Sequence, residues 1–431
     1  MVFKRIILLV LVFNCVNVAS SLEEVIESIQ SIINKLPAGS RTGLMVYNPL
    51  TQDTILNINH TESMIPASNT KLFTTAAALD LMGGDFLLST KLLSDDSDLE
   101  DRVINGNLYL KGLGNSIFTI EDIIEMVDSL IAIGITKITG NIVGDDTYFD
   151  DVYTRDDWIK DEKANVKLPA ISALVLDRNR TKSTKKRRGR YRTYIINVEN
   201  PPLHAAKKLK EILEHNNIEV SGNADYDETP LTANLITECS VKLREVLKLI
   251  NKRSDNFLAE CLFKTIGAVA SGRQGNSFYS TQAVLTFIKD NAIYSKGTSI
   301  VDGSGISRYD QVTPGAIIGL LEKMYFDINN FDDFYNSLAI AGVDGTLDER
   351  MSSTLAESNF RGKTGTLNGV SSISGYLTTA GGEDLIICII FEFNNGRWKT
   401  FRNLQDEIIE ALAEWKEKSP DEFLHQGYLE N

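Results

Sequence analysis

The sequence predicts an α+β protein in which an antiparallel sheet flanked by helices joins a helical part and is interrupted by a β-rich insertion. Strand-like segments with a terminal helix lie near both ends of the chain, which indicates one sheet assembled from distant pieces. The intervening stretch alternates short strand-like runs, such as 106–111 and 191–198, with two helices near 120–133 and 203–216. With 431 residues, the chain has room for two or three domains.

The N-terminal elements follow from apolar spacing and from turn residues. Residues 22–36 carry apolar side chains at helical intervals, and residues 41–47 and 53–58 alternate as a pair of strands. A further helix with one apolar face is predicted to open at Ser68 and to close at Gly83.

The C-terminal elements are equally regular. Strands are predicted at 363–367, 371–379 and 384–393, and a helix from 398 to about 416. These segments are expected to share a sheet with the N-terminal strands.

This arrangement predicts a discontinuous catalytic domain with an insertion. We assign residues 22–86 and 236–418 to the catalytic domain, 87–235 to one or two inserted accessory domains, and 419–431 to a C-terminal tail. Residues 1–21 are expected to be a signal peptide that is removed on export.

The export signal is predicted from its charge and apolar pattern. Lys4 and Arg5 precede the apolar run 6–13, and small residues follow at 18–21. The alternatives are an N-terminal membrane anchor, for which the run is short, and lipidation at Cys15. We expect an exported protein with no stable membrane span after cleavage.

Charge excludes one class of partner and marks one unusual segment. A formal net charge of −14 argues against nucleic-acid binding. Residues 178–192 nevertheless hold nine Lys or Arg residues. They are predicted to form a loop, which is either merely solvated or attracts an anionic cell-wall polymer.

The mature chain is expected to contain three free thiols. Cys388 lies in an apolar run and is predicted to be a buried small hydrophobe. The alternative for the other two is a disulfide between Cys239 and Cys261.

The first motif that carries chemistry is Ser68-Asn69-Thr70-Lys71. Ser68 falls in the first turn of its predicted helix, and Lys71 projects from the same face three residues later. A lysine kept neutral by burial, or by a neighbouring cation such as Lys363, can act as general base for a serine nucleophile. The pattern alone is weak, because it recurs at Ser183 to Lys186 and also fits a plain helix cap.

The second motif is Ser254-Asp255-Asn256. A tight turn would aim both Ser254 and Asn256 into one cleft, where the hydroxyl relays a proton and the amide binds a substrate amide. The alternative is an ordinary polar turn before a helix.

The third motif is Lys363-Thr364-Gly365, followed by Thr366. On a strand, residues 364 and 366 share a face, and Gly365 leaves room for a substrate backbone. The lysine and the threonines can hold a terminal carboxylate. The alternative is an edge strand protected by its lysine.

Other chemistries are poorly represented. No spacing of His, Cys or carboxylates indicates a metal site, and no cofactor motif occurs. The segment 302–305, Asp-Gly-Ser-Gly, is either a turn beside the site or a plain loop. The histidines are isolated from any Ser or carboxylate pattern: His60, His204, His215 and His425.

With these three motifs in this order, the chain resembles the D-alanyl-D-alanine carboxypeptidase/endopeptidases among the low-molecular-mass penicillin-binding proteins. Further segments carry the same resemblance and extend it from about residue 40 to residue 395: 66–68, 172–174, 302–305, 341–347 and 362–367. The long gap between Lys71 and Ser254 matches the members that have large insertions.

The resemblance implies a penicillin-binding transpeptidase/β-lactamase-like domain and a location in the periplasm or cell envelope. It also implies an acyl-enzyme mechanism on peptidoglycan peptides and covalent inhibition by β-lactams. It implies Ser68 as nucleophile, Lys71 as base, and Ser254 and Asn256 as relay and anchor. The backbone N–H groups of Ser68 and Thr366 would form the oxyanion hole, while Lys363 and the threonines 364 and 366 bind the carboxylate. It leaves the balance of carboxypeptidase and endopeptidase activity open.

Two alternatives remain at this point. A class A β-lactamase is more compact and uses an additional glutamate, for which Glu260 follows Asn256 too closely. A non-catalytic peptidoglycan-binding protein would have a degenerate site, whereas every catalytic position here matches. Release of D-alanine from a pentapeptide separates these alternatives from the active enzyme. The sequence does not indicate an oligomeric state.

Overall fold

The computed structural model describes residues 20–96, 102–158, 168–187 and 190–416. The predicted signal segment up to residue 19 and the predicted tail 419–431 lie outside the described residues. Within the described ranges, no helix combines the length and apolar character needed to cross a bilayer.

Helices and strands are numbered in chain order. The helices are α1 Leu22–Ile33, α2 Thr70–Met82, α3 Ile120–Ala132, α4 Pro201–His215, α5 Leu243–Lys252, α6 Asn256–Ser271, α7 Ser277–Asp290, α8 Pro314–Tyr325, α9 Phe331–Ser337 and α10 Trp398–Ala413. The strands are β1 Arg41–Asn48, β2 Asp53–Ile58, β3 Leu87–Ser94, β4 Val103–Ile104, β5 Leu108–Leu113, β6 Lys137–Ile138, β7 Ile142–Asp145, β8 Arg180–Arg187, β9 Arg190–Asn197, β10 Glu219–Val220, β11 Ala224–Tyr226, β12 Asn234–Lys242, β13 Ala339–Ile340, β14 Arg361–Leu367, β15 Val370–Thr378 and β16 Asp384–Glu392.

The predicted sheet of distant pieces is present. Six antiparallel strands pair in the order β13-β14-β15-β16-β1-β2, so that the first strand of the chain pairs with its last. The interior of β16 is buried on both faces, which explains its uninterrupted apolar sequence. Its even-numbered residues face the helical part, whereas its odd-numbered residues face α1 and α10. The α+β prediction is confirmed.

Helix α2 differs from the prediction of a single apolar face. Residues Thr70 to Leu79 are all buried, because α2 is surrounded by α5, α6, α7 and α8. A buried helix carries no periodic polar stripe. It begins after a 3₁₀ turn, Ala67–Asn69, and ends at Gly83, whose φ of +73° suits a residue without a side chain.

The middle of the chain forms sheets of its own. A mixed five-stranded sheet has the order β11-β7-β5-β3-β12, and a parallel three-stranded sheet has the order β10-β6-β4. Helices α3 and α4 pack on them around a separate apolar core. Strand β12 pairs with β3 and ends at Lys242, beyond the predicted domain boundary at residue 235.

The basic segment 178–192 is not the predicted loop, because most of it lies in a hairpin whose second strand corresponds to the predicted strand-like run 191–198. Strands β8 and β9 pair antiparallel from Arg180 opposite Asn197 to Arg187 opposite Arg190. The side chains of both strands are almost all exposed, and no apolar alternation marks β8 as a strand in the sequence. Tyr191 and Ile195 are each 72% exposed.

All three cysteines in the described part of the chain are free thiols. Cys388 is buried in β16, as predicted. Burial and the nearby Asp122 raise the pKa of Cys239 to about 12, so that this thiol is unreactive at neutral pH.

Candidate active site

The predicted nucleophile and base are adjacent. Ser68 lies half-buried in the 3₁₀ turn that leads into α2, and the Lys71 Nζ lies 2.9 Å from its Oγ. The preceding Ala67 has a φ of +49°, a left-handed conformation that turns the chain sharply into the helix. The hydroxyl faces the cleft while the amine lies behind it, fully buried.

Lys71 links three segments of the chain. Besides Ser68, its Nζ donates to Asn256 Oδ1 at 2.7 Å and to the carbonyl oxygen of Ser304 at 2.5 Å. Burial lowers its pKa to about 8, against the opposing effect of Asp302 and other carboxylates. In the neutral amine, two N–H groups serve the two carbonyl acceptors, and the lone pair remains available for the Ser68 proton.

The motif left open whether burial or the neighbouring Lys363 keeps the Lys71 amine neutral. Burial is what lowers the pKa of Lys71. Lys363 is itself fully buried, and its pKa lies well below its usual value because of that burial and of the nearby Lys71. Its Nζ donates to Ser254 Oγ at 2.8 Å and to the carbonyl oxygen of Thr364 at 2.7 Å. The Ser254 hydroxyl is therefore held in direct contact with the buried Lys363 amine.

Ser254 and Asn256 come together in a strained turn. Ser254 has a φ of +54°, and the side chain of Asp255 caps α6 by accepting from the Leu258 N–H at 3.1 Å. The turn thereby directs Ser254 and Asn256 at the two different lysines. Asn256 thus contacts Lys71, and Ser254 contacts Lys363.

Arg178 holds this turn from the inserted part. Its guanidinium forms two contacts of 2.9 Å with the two carboxylate oxygens of Asp255, and it stacks 5.0 Å from the ring centre of Phe257. Paired N–H···O bonds of this kind are strong and directional. In the sequence, Arg178 stands out only as part of the basic run 178–192, since nothing local pairs it with a residue 77 positions away.

Strand β14 passes close to the nucleophile. A Cβ at Gly365 would lie 2.2 Å from Ser372 Oγ and 3.0 Å from the backbone nitrogen of Ser68, so that only glycine permits this approach. Thr364 donates to Thr346 Oγ1 at 2.8 Å, and Thr366 is exposed at the strand edge. The two threonines share the face of the sheet that carries α10, because they pair with Ile373 and Ser371.

The Asp-Gly-Ser-Gly segment lies beside the site. The Asp302 carboxylate accepts from the backbone N–H groups of Ser304 and Gly305 at 3.1 and 2.6 Å, and from Trp158 Nε1 at 3.0 Å. A Cβ at Gly305 would lie 1.9 Å from the carbonyl oxygen of Ala67. The carboxylate thus shapes the turn that presents the Ser304 carbonyl to the base.

Two further buried carboxyls surround this turn, and motif reasoning missed their role. Glu260 accepts from the Gly303 N–H at 3.0 Å, and burial, with Asp302 nearby, raises its pKa to about 8. Asp310 accepts from Thr70 Oγ1 at 3.0 Å, and burial raises its pKa well above the usual range. Glu260 lies behind the lysine and is 3% exposed, which is unsuited to activating a hydrolytic water.

The described ranges hold no group of three or more His, Cys, Asp or Glu side chains arranged to bind a metal ion. The contacts of the site join hydroxyls, amines, an amide and backbone carbonyl groups. The carboxyls of Asp302 and Glu260 bind the backbone of the turn beside it.

Similarity to known proteins agrees with this geometry. The sequence model of the D-Ala-D-Ala carboxypeptidase 3 (S13) family matches residues 25–190 and 185–418. The chain is 28% identical to a D-alanyl-D-alanine carboxypeptidase of Actinomadura sp. (strain R39), over 91% of this chain and 85% of that protein. It is 25% identical to the D-alanyl-D-alanine carboxypeptidase DacB of Haemophilus influenzae, over 86% of this chain and 88% of that protein.

The fold is similar to that of a solved structure. The crystal structure of penicillin binding protein 4 (dacB) from Haemophilus influenzae has a TM-score of 0.77 and 23% identity, with coverage of 94% of this chain and 99% of that one. The same protein has been crystallised with a β-lactam, and that structure gives a TM-score of 0.70 at 24% identity, with 89% and 99% coverage. The chain therefore belongs to the D-Ala-D-Ala carboxypeptidase 3 (S13) family of penicillin-binding proteins.

Proposed function

We propose that the protein is an exported serine D-alanyl-D-alanine carboxypeptidase and DD-endopeptidase of the periplasm or cell envelope. Its substrates would be peptidoglycan stem peptides, and β-lactams would inhibit it covalently. One observation carries the proposal: a fully buried lysine amine with a pKa of about 8 lies 2.9 Å from a half-buried serine hydroxyl.

Acylation begins with proton transfer from Ser68 Oγ to the neutral Nζ of Lys71. The oxygen attacks the carbonyl carbon of the scissile peptide bond, and the carbonyl oxygen becomes an oxyanion. The backbone N–H groups of Ser68 and Thr366 stabilise that charge, an assignment supported by the close approach of β14 to the Ser68 nitrogen. Thr364 and Thr366 hold the carboxylate of the leaving residue at the strand edge.

Collapse of the tetrahedral intermediate breaks the C–N bond. Ser254 Oγ gives its proton to the leaving amine and is reprotonated from the buried lysines, a path supported by its 2.8 Å contact with Lys363 Nζ. Asn256 Oδ1 accepts from Lys71 Nζ in both charge states of the amine, and the rest of the Asn256 amide is available to bind a substrate amide. Water then hydrolyses the ester at Ser68, with Lys71 accepting the water proton.

Acylation by penicillin tests the nucleophile. Intact-mass measurement should show one adduct per chain, and peptide mapping should place it on Ser68. Ser68→Ala should remain unlabelled, whereas Ser304→Ala is the matched control with an unchanged backbone carbonyl. An adduct on Ser304, or labelling of Ser68→Ala, would contradict the assignment.

Substrate class is tested with two defined peptides. A pentapeptide ending in D-Ala-D-Ala should lose one D-alanine, and a cross-linked muropeptide should separate into its two stems, both identified by mass. Binding of the pentapeptide without turnover would support the non-catalytic alternative. Rapid hydrolysis of penicillin without a lasting adduct would support a β-lactamase.

A further inference from the structure

A polar pocket of about 170 Å³ lies beside the threonine edge, on the α10 face of the sheet. Strand alternation places Thr364 and Thr366 along one wall. Helix α10 supplies the opposite wall with Trp398, Arg402 and Gln405, whose spacing puts them on one helix face. The pocket therefore begins where the proposed carboxylate site ends.

The charges around this pocket do not cancel. Arg350 is 3% exposed and is neutralised by Asp406, which its Nε and Nη2 reach at 2.8 and 2.6 Å. Arg402 forms no ion pair with any described residue, and its guanidinium stacks 5.5 Å from the ring centre of Trp398. Since none of the lining residues is acidic, the pocket carries one uncompensated positive charge.

Gln405 adds an unused donor. Its side chain is fully buried, and its Oε1 accepts from Arg350 Nη2 at 3.3 Å, which fixes the orientation of the amide. Its Nε2 has no hydrogen-bond partner. A buried N–H₂ group without an acceptor is costly, so that a ligand oxygen in the pocket would satisfy it.

We propose that this pocket is a leaving-group subsite for a residue larger than alanine that carries a second carboxylate on its side chain. The inference rests on the proposed function, because it takes Thr364 and Thr366 to hold the α-carboxylate of the leaving residue. The side chain then enters between β14 and α10. Its carboxylate pairs with the Arg402 guanidinium and accepts from Gln405 Nε2.

Room and charge together favour this ligand class over D-alanine alone. The methyl group of alanine would leave most of the volume filled by water, and the arginine and the amide without a partner. A cross-linked stem peptide, in which the leaving residue continues into a longer acidic chain, uses both. The subsite thereby favours cleavage of cross-links over trimming of free D-alanine ends.

Three acyl-D-alanyl peptides with D-alanine, D-glutamine or D-glutamate as the leaving residue test this subsite. D-glutamine and D-glutamate have the same size and differ in charge. We expect kcat/KM to be about five- to tenfold higher for D-glutamate than for D-glutamine, as for a partly buried ion pair. Arg402→Gln should abolish that difference.

Lys399→Gln removes one exposed cation from the same helix outside the pocket, and should keep the preference. Equal values for D-glutamate and D-glutamine in the wild type, or a preference that survives Arg402→Gln, would overturn the subsite while D-alanine release still supports the proposed function. If no peptide is turned over, calorimetric binding to Ser68→Ala decides: tighter binding of the D-glutamate peptide, lost on adding Arg402→Gln, supports the subsite, and equal binding refutes it.

Discussion

The rate of acylation of Ser68 should depend on pH through the protonation of Lys71. Only the neutral amine can accept the serine proton, and burial lowers the pKa of Lys71 from its ordinary 10.5 to about 8. At pH 7 about 9% of the amine is then neutral, compared with about 0.03% at the ordinary pKa. Burial thus raises the reactive fraction about 300-fold at neutral pH.

The measurement is the second-order rate constant for acylation by a fluorescent penicillin between pH 5.5 and 10 at constant ionic strength. The rate should rise about tenfold per pH unit up to pH 7 and level off above pH 8, so that it is about 90-fold higher at pH 9 than at pH 6. Asp302→Asn removes a carboxylate that raises the pKa of Lys71. Its midpoint should move to lower pH, whatever happens to the plateau.

Glu260 provides the control, because its own pKa is also raised to about 8. Above pH 8 its negative charge would raise the pKa of Lys71, so that Glu260→Gln should keep the rising limb at the same pH or shift it slightly lower. If the rise in acylation rate with pH disappeared in Glu260→Gln, Glu260 and not Lys71 would be the group that titrates. A wild-type midpoint near pH 10, or a rate that falls as pH rises, would refute it equally.

Three further outcomes are expected. Arg178→Ala should be acylated by penicillin about tenfold more slowly, because the turn at Asp255 loses its paired hydrogen bonds. Arg178→Lys should recover only part of the acylation rate, and the control Arg180→Ala should match the wild type. Thiol titration of the mature protein in denaturant should give three reactive thiols, and a count of one would instead indicate a disulfide between Cys239 and Cys261. Neutralising the hairpin cations should weaken binding to isolated sacculi at low salt and not near 0.5 M salt, while pentapeptide cleavage is unchanged. If the variant binds sacculi at low salt as tightly as the wild type does, the hairpin does not have this role. The control variant instead neutralises two exposed lysines elsewhere, Lys289 and Lys296. The four residues to be neutralised are Lys185, Lys186, Arg187 and Arg188.

The parts of the fold that sequence reasoning predicted are those with a local signal. The strand pair β1–β2, the strands β14 to β16 and the terminal helices α1 and α10 combine clear periodicity with clear turns. Strand β8 was missed because exposed strands need no alternation of apolar and polar residues, whereas its partner β9 was predicted from the strand-like run 191–198. Helix α2 was assigned one apolar face, since a sequence does not reveal that small residues and threonines can all be buried.

In the candidate site, too, contacts between residues close in sequence could be predicted, whereas contacts between distant residues could not. Motif spacing brings Ser68 next to Lys71 and Ser254 close to Asn256, because each pair is local. The contacts that tune the site join distant residues: Arg178 with Asp255, and Asp302 with Trp158. No single-sequence pattern pairs such residues, and only the three-dimensional packing does.

The pairing of β1 with β16 has a consequence for the order in which the molecule becomes active. The nucleophile's turn is held by the bond from Ser372 Oγ to the carbonyl oxygen of Pro66, which spans 306 positions of sequence. Contacts of such long range form late, because the intervening loop must close first. Until the last strands dock, the turn that carries Ser68 lacks the hydrogen bond from Ser372. We therefore expect the proposed acyl transfer to begin only when the two ends of the sheet have met.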